Sequence, residues 1–279
     1  MTVSGILAHA EKLLIGAGVE NARNEVRWIF ESAFGCGREY AVLHGNDEAD
    51  KEKSERFLRM IESRADGMPV QYVIGEWDFY GEVFKVGEGV LIPRPETEML
   101  VDFALDYLKE KNDPVVFDLC SGSGCIGLTV AKNRPDARVF LLEKSDAAFA
   151  YLSENKKLLG CDNATLVSGD LFDGFESFGL PEPDLILSNP PYIESGEIPL
   201  LQKEVLREPS MALDGGEDGY DFYRAIALKW LPFCKGAIAV ECGENQTEEI
   251  EKIFSAECVR VYSEKDFNGI GRTVCGFTD

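Results

Sequence analysis

The stretch Val115-Val116-Phe117-Asp118-Leu119-Cys120-Ser121-Gly122-Ser123-Gly124-Cys125-Ile126-Gly127 decides how the rest of the chain is read. A β-rich run with an acid near its end enters a glycine loop, and the loop turns into a helix over residues 126–132. Glycine permits both the tight turn and the close approach of a ligand to the main chain. Downstream, short β-rich runs recur at 138–142, 165–168, 184–188, 237–241, 258–262 and 273–277, with helical stretches between most of them. Such alternation predicts an α/β fold: a Rossmann-like, mostly parallel seven-stranded sheet with helices on both faces. Only a loop at 267–271 separates the last two runs, so one edge strand is expected to be antiparallel.

Upstream of this stretch the period is helical. Leu7, His9-Ala10, Leu13 and Leu14 form one stripe, Val26, Ile29, Phe30 and Ala33 a second, and Phe57, Leu58 and Ile61 a third. They predict helices over 3–16, 22–34 and 51–65, with breaks at Gly16-Gly18, Gly35-Gly37 and Gly67-Pro69. Residues 1–68 therefore read as a small helical bundle, suited to structural support or to docking a substrate. Gln71-Tyr72-Val73-Ile74 and Phe84-Lys85-Val86 read as the strands of a β-hairpin linker over residues 69–95, closing at Val90-Leu91-Ile92. Pro93-Arg94-Pro95 is stiff and extended, and Glu96, Thr97 and Glu98 open a helix running to Leu108. The α/β domain then occupies residues 96–279.

Composition narrows the function. The 279 residues are 45% apolar, which is ordinary for a globular protein. No apolar run is long enough to span a membrane, and the N-terminus lacks the basic segment of a signal peptide, so a cytoplasmic protein is expected. Eight scattered cysteines without a CxxC pair, and two histidines, make a metal site unexpected. The net charge is −22, and all but −3 of it lies beyond residue 75. Such a surface repels a phosphate backbone, so no direct nucleic-acid partner is expected.

Three acids stand at strand ends beside the glycine loop: Asp118, Glu143 and Asp170. In an open α/β sheet the ligand crevice lies at those ends. A carboxylate facing the loop opposes a pyrophosphate but suits the cationic amino-acid end of a sulfonium cofactor. Glu143 can accept both ribose hydroxyl hydrogens, and Asp170 can reach an adenine amino group with Leu171 against the ring. With Cys120, Ser121, Gly122, Ser123, Gly124 and Asn189, these residues form the expected site for S-adenosyl-L-methionine. Taken singly, each acid is equally at home as a strand end or helix cap.

The fourth strand of the sheet runs into Asn189-Pro190-Pro191-Tyr192. Two prolines lock the backbone and Pro191 has no N–H, so the polar groups on offer are mainly carbonyls. The Asn189 side-chain oxygen and the Pro190 carbonyl can accept the two hydrogens of an NH2 group, while Tyr192 packs on its flat face. An amide or aryl-amine lone pair is delocalised. Holding both hydrogens aims it at a methyl donor, so the tetrapeptide points to N-methyl transfer driven by positioning and electrostatics.

Further stretches carry a resemblance. They are Gly67-x-Pro69-x-Gln71-Tyr72-x-x-Gly75, Phe79-x-Gly81-x-x-Phe84 and Leu91-Ile92-Pro93-Arg94-Pro95-Glu96-Thr97-Glu98. Asn189-Pro190-Pro191-Tyr192-Ile193, Glu208-Pro209-x-x-Ala212-Leu213-x-Gly215-Gly216-x-Asp218-Gly219 and Gly271-Arg272-Thr273-Val274 complete the set. With these the chain resembles the PrmC/HemK family, the N5-glutamine methyltransferases of class I peptide release factors. The resemblance implies a class I S-adenosylmethionine-dependent methyltransferase fold and, as substrate, the glutamine of the release factor's Gly-Gly-Gln loop. Asn189 and Pro190 would grip its amide, with Pro191 and Tyr192 beside it; a monomer is expected. Three positions depart from the family's commoner residues: Cys120 stands where glycine is usual, Ser121 where threonine is, and Glu143 where aspartate is.

The same tetrapeptide can hold the exocyclic amine of an adenine or guanine. An enzyme of that kind is expected to carry a basic patch or a target-recognition domain, and this chain has neither. A ribosomal-protein glutamine is a closer alternative, against which the Arg94-Pro95-Glu96-Thr97-Glu98 stretch weighs. A non-catalytic cofactor-binding protein is a third, opposed by the intact acids, glycines and Asn189.

Overall fold

The Thr2 hydroxyl accepts the Gly5 N–H at 3.2 Å and the Asp50 carboxylate accepts that of Lys53 at 2.9 Å, and these caps begin two helices of the N-terminal unit. The computed structural model describes residues 1–278. They form two units, one of Met1–Trp77 with Gln202–Arg207, the other of Asp78–Leu201 with the chain from Glu208 onward.

The first unit holds α1 (Val3–Gly16), α2 (Ala22–Phe34), α3 (Tyr40–Leu43), α4 (Lys51–Ala65) and α5 (Val70–Ile74). The three long helices lie where the apolar spacing puts them. In α1 the buried stripe is Val3, Ile6, Ala10 and Leu14, while Leu13 stays 40% exposed. Phe30 stacks on Phe34 and meets Phe57 edge-on at 5.6 Å. Glu25 and Arg64 form a buried ion pair at 2.5 Å, and Glu204 brings a second carboxylate to 3.2 Å from the same guanidinium.

The strand expected at Gln71-Tyr72-Val73-Ile74 is instead the single helical turn α5. Pro69 precedes it, and Gly75, at φ +85°, closes it by donating its N–H to the Gln71 carbonyl. Packing of Val70 and its neighbours into the helical core outweighs their β propensity. The hairpin begins later, with β1 (Glu76–Phe79) and β2 (Glu82–Lys85), and no strand forms at residues 90–92. Tyr80 and Gly81 both take positive φ, the turn geometry that matches the twist of two short antiparallel strands. The boundary between the units falls within β1.

The second unit continues with α6 (Glu98–Leu108), β3 (Val115–Leu119), α7 (Cys125–Asn133), β4 (Arg138–Glu143), α8 (Asp146–Leu159), β5 (Ala164–Ser168) and β6 (Leu185–Ser188). After these come α9 (Asp221–Lys229), β7 (Ala237–Glu241), α10 (Thr247–Phe254), β8 (Arg260–Lys265) and β9 (Gly271–Phe277). Seven strands make one sheet in the order β5-β4-β3-β6-β7-β9-β8. It is the fold of class I methyltransferases. The first five strands are parallel, with Phe117 opposite Phe140 on one side and Ile186 on the other. Side chains alternate between two cores: Val116, Leu141 and Leu187 serve one face, Phe117, Leu142 and Ile186 the other.

The antiparallel strand is not an edge strand as expected. β9 lies between β7 and β8 and is antiparallel to both. Thr273, Val274 and Cys275 of β9 are buried, whereas β8 carries Arg260, Ser263 and Lys265 to solvent. The apolar strand therefore takes the inner place and the charged one blunts the edge.

From β3 the order runs outward through β4 and β5 in one direction, and from β6 through β7 in the other. The carboxyl ends of β3 and β6 thus flank a topological switch point, where open sheets bind ligands. Asn155 of α8, fully buried, ties the glycine loop to the hairpin. Its oxygen accepts the Lys85 N–H at 2.7 Å, and its nitrogen donates to the carbonyls of Lys85 at 3.0 Å and Ser123 at 2.9 Å. Asn155→Ala removes all three bonds and is expected to cost about 2–4 kcal/mol in chemical denaturation. A change below about 0.5 kcal/mol, the scale of an ordinary surface substitution, would contradict this account.

Candidate active site

Glu143, the last residue of β4, accepts the Gly122 N–H on Oε2 and the Ser145 N–H on Oε1, each at 2.7 Å. Burial pushes its carboxyl upward in pKa, and the Ser145, Gly122 and Lys144 N–H groups restrain the shift. One carboxylate thus clasps the glycine loop from below, and each oxygen keeps a lone pair for a ligand. Asp170, after β5, accepts the Phe172 N–H at 3.0 Å and pairs with Lys144 at 2.7 Å. Burial raises its carboxyl, but Lys144 and the Phe172 N–H together hold it below the usual range.

A cavity opens at these strand ends. Cys120, Ser121, Gly122 and Ser123 of the loop line it, with Leu142, Glu143, Asp170, Leu171, Asn189 and Pro191. Leu91, Ile92, Arg94 and Thr97 contribute from before α6, and Pro209, Met211, Ala212 and Phe222 from before and within α9. Nine of the residues expected at the site from sequence therefore share one cavity: Cys120, Ser121, Gly122, Ser123, Glu143, Asp170, Leu171, Asn189 and Pro191.

Four expected residues do not line it. Asp118 is fully buried; its Oδ2 accepts the Gly127 N–H at 2.9 Å and its Oδ1 has no hydrogen-bond partner. The start of α7 draws this acid behind the loop rather than toward the cavity. Burial pushes its carboxyl up to about 7, the Gly127 N–H opposing and the charge of Glu143 adding to the shift. Gly124 caps α7 at φ +82°, with its Cα packed under Leu152 and Leu128. Pro190 is buried, and Tyr192 lies beside Gly243 with its carbonyl accepting Gln246 Nε2 at 2.9 Å. Neither is among the residues that line the cavity, although Pro191 between them is.

Two residues beyond those expected meet Asn189. Its Nδ2 donates to Thr97 Oγ1 at 3.2 Å, and Thr97 Oγ1 donates to Glu241 Oε2 at 2.5 Å. Burial raises the Glu241 carboxyl to about 7, restrained by the Thr97 hydroxyl, with Glu96 adding to the rise and Arg272 and Asn189 opposing it. Glu241 closes β7 as Glu143 closes β4, a signal present in the sequence but not used there. Thr97 lies in the 91–98 stretch that carries the resemblance, where it reads only as part of the opening of a helix.

The rim is pinned as well. Glu208 pairs with Arg94 and accepts the Ile92 N–H at 3.0 Å. Ile193 N–H donates to the Leu213 carbonyl at 2.9 Å, and Gly215 N–H returns a bond to Ile193 at 2.8 Å. A Cβ on Gly215 would stand 2.7 Å from the Tyr192 Cα, so only glycine lets the two segments approach this closely. Among the described residues no group of three His, Cys, Asp or Glu side chains could hold a metal ion, and no helix is long and apolar enough to cross a membrane.

Known proteins share this layout. A family model described as the PrmC N-terminal domain matches residues 5–75, and one described as the methyltransferase small domain matches residues 97–217. A release factor glutamine methyltransferase of Thermodesulfovibrio yellowstonii is 40% identical, over 82% of this chain and 83% of its own. The protein of the same name from Geobacter sulfurreducens is 36% identical over 99% and 96%. Among solved structures, the hMettl16 catalytic domain in complex with an RNA hairpin (MAT2A 3'UTR hairpin 6) superposes with a TM-score of 0.59 at 13% identity, covering 82% of this chain and 83% of that one. A methyltransferase from Pyrococcus furiosus gives 0.53 at 15% identity, over 81% and 98%. At these identities the two structures share the fold alone.

The buried Asp118 leaves a pH signature. Its folded carboxyl titrates above the usual value, so its contribution to stability is full at acid pH and is lost as pH rises through about 7. Asp118→Asn keeps an oxygen for the Gly127 N–H and cannot ionise. Its stability is expected to fall less than wild type between about pH 4 and 7, by a few kcal/mol at most. Parallel pH curves for the two proteins in urea denaturation would refute this.

Proposed function

The chain belongs to the release factor glutamine methyltransferase family, and from that premise we propose its reaction and the residues that carry it. It is a protein-glutamine methyltransferase that uses S-adenosyl-L-methionine to methylate N5 of the glutamine in the Gly-Gly-Gln motif of class I peptide chain release factors. One observation carries the residue-level reading: Asn189 lines the same cavity as the glycine loop, Glu143 and Leu171.

When bound, S-adenosylmethionine supplies a methyl group made electrophilic by a positively charged sulfur. The residues present fit such a group. Space is open where a Cβ on Gly122 would stand, and the Glu143 carboxylate faces the cavity with lone pairs to spare for ribose hydroxyls. Leu142 and Leu171 offer apolar faces to an adenine ring, and Asp170 borders the same end.

On the substrate side, Asn189 Oδ1 and the Pro190 carbonyl accept the two amide hydrogens of the glutamine. Support comes from Pro190, whose carbonyl is taken by no turn, cap or side-chain hydrogen bond among the described residues. Holding both hydrogens fixes the nitrogen, aims its lone pair at the methyl group and favours the pyramidal geometry of the transition state. Tyr192 serves mainly by anchoring the tetrapeptide through its carbonyl and ring. No strong base is required, because the methylated nitrogen becomes acidic and loses its extra proton to water or a neighbour. The N-terminal helical unit is assigned to docking the protein substrate, and a monomer in the cytoplasm to the working form. The net charge of −22 supports a protein substrate over a nucleic acid.

Incubation with S-adenosylmethionine and a purified release factor, followed by peptide mass spectrometry, is expected to place one methyl group on the Gly-Gly-Gln glutamine. Transfer to tRNA, DNA or a ribosomal protein instead would overturn the assignment. Asn189→Ala is expected to lower kcat roughly 10²- to 10³-fold or more, as loss of an electrostatic positioning group does. Turnover near the wild-type rate in that variant would remove Asn189 from the mechanism.

A further inference from the structure

We infer that Thr97 and Glu241 are positioning residues that decide which end of the Asn189 side-chain amide faces the reacting nitrogen. The inference rests on the function proposed above and extends it to residues that need not touch the substrate's amide.

The three side chains come from separate elements. Thr97 ends the 3-10 turn that precedes α6, Asn189 follows β6, and Glu241 ends β7. Ser188 of β6 is in register with Val240 of β7, which sets Asn189 and Glu241 side by side at the carboxyl ends of neighbouring strands. Thr97 is 1% exposed and Glu241 3%, so water does not compete for their hydrogen bonds.

The direction of this chain follows from counting hydrogens. A threonine hydroxyl has one, and the Glu241 carboxylate, once ionised above about pH 7, has none, so in the 2.5 Å contact the hydrogen then belongs to Thr97 and points at Glu241. Thr97 Oγ1 is then left with lone pairs only. The end of the Asn189 amide 3.2 Å away must be the NH2, which donates to that oxygen. A flipped amide would set Oδ1 against the hydroxyl lone pairs, with no hydrogen between two acceptors. Oδ1 is therefore left as the end available to the cavity, where a substrate NH2 requires an acceptor. An amide free to rotate would present its own NH2 there for part of the time, donor against donor.

The test compares steady-state kinetics of four variants with wild type, using release factor and S-adenosylmethionine at a pH well above 7, where Glu241 is ionised. Thr97→Val keeps the shape and removes the hydroxyl; kcat is expected to fall about 10- to 100-fold, the scale of one or two lost buried hydrogen bonds. KM for the release factor and Kd for S-adenosylmethionine should stay within about threefold, since the effect acts on the amide orientation rather than on binding. Thr97→Ser restores the hydroxyl and should return kcat to within about threefold of wild type. Glu241→Met removes the acceptor and frees the Thr97 hydroxyl to turn toward Asn189, so it should lower kcat as well, and it carries the test if Thr97→Val does not fold. Adding Thr97→Val to Asn189→Ala should cost nothing further, because Thr97 acts only through Asn189.

Wild-type kcat in Thr97→Val or in Glu241→Met would overturn the inference. So would a double variant whose losses multiply, since Thr97 would then act independently of Asn189. Absence of methyl transfer to the release factor by wild type would overturn the proposed function itself, which separates that failure from this one.

Discussion

The hydrogen bond from the Gly127 N–H to the buried Asp118 carboxylate is the constraint around which the methyltransferase unit is arranged. It joins the end of β3 to the first turn of α7, so the intervening loop has to be tight and close to the sheet. A Cβ on Gly127 would stand 2.8–2.9 Å from the Asp118 side chain and 2.7 Å from Leu141, which leaves glycine as the residue that fits. Because the loop is held from behind by Asp118 and clasped by Glu143, its outer surface is left for a ligand. Cys120 takes φ +60° there, a conformation that side chains generally resist and that explains why glycine suits this position.

The remaining walls are set by pairings distant in sequence. Arg94 and Glu208 join the approach to α6 with the segment before α9, and the bonds between Ile193, Leu213 and Gly215 close that segment onto the chain after Asn189. Asn189 itself donates to Thr97, whose hydroxyl is held by a glutamate from the next strand. The acidic half of the protein thus uses several of its carboxylates internally, as partners of backbone N–H groups, an arginine and a hydroxyl. Much of the remaining charge faces solvent.

Periodicity carried the sequence reading furthest where one face of an element is buried. The helices of α2 and α4 and the strands β3 and β7 have the bounds that the apolar pattern predicts, because burial on a fixed face imposes a fixed repeat. It failed for Gln71-Tyr72-Val73-Ile74, where a β-rich composition too short to show a period was overruled by packing among helices. The order of the last two strands was likewise not legible. A hairpin can add to a sheet by either strand, and the choice turned on which of the two could be buried on both faces.

At the site, the sequence by itself determined the chemistry on offer: a glycine loop, acids closing successive strands, and an asparagine followed by two prolines. Residue type and spacing suffice for these, because each feature is local to one strand and the turn that follows it. Only the tertiary structure decided which acids reach the cavity and which hold it up. It drew Asp118 behind the loop, left Glu143 at the cavity, and brought Thr97 and Glu241 to the Asn189 amide. The physical reason is that a hydrogen bond between residues 92 or 144 positions apart leaves no mark on local composition, yet once buried it fixes the direction in which a side chain presents its oxygen.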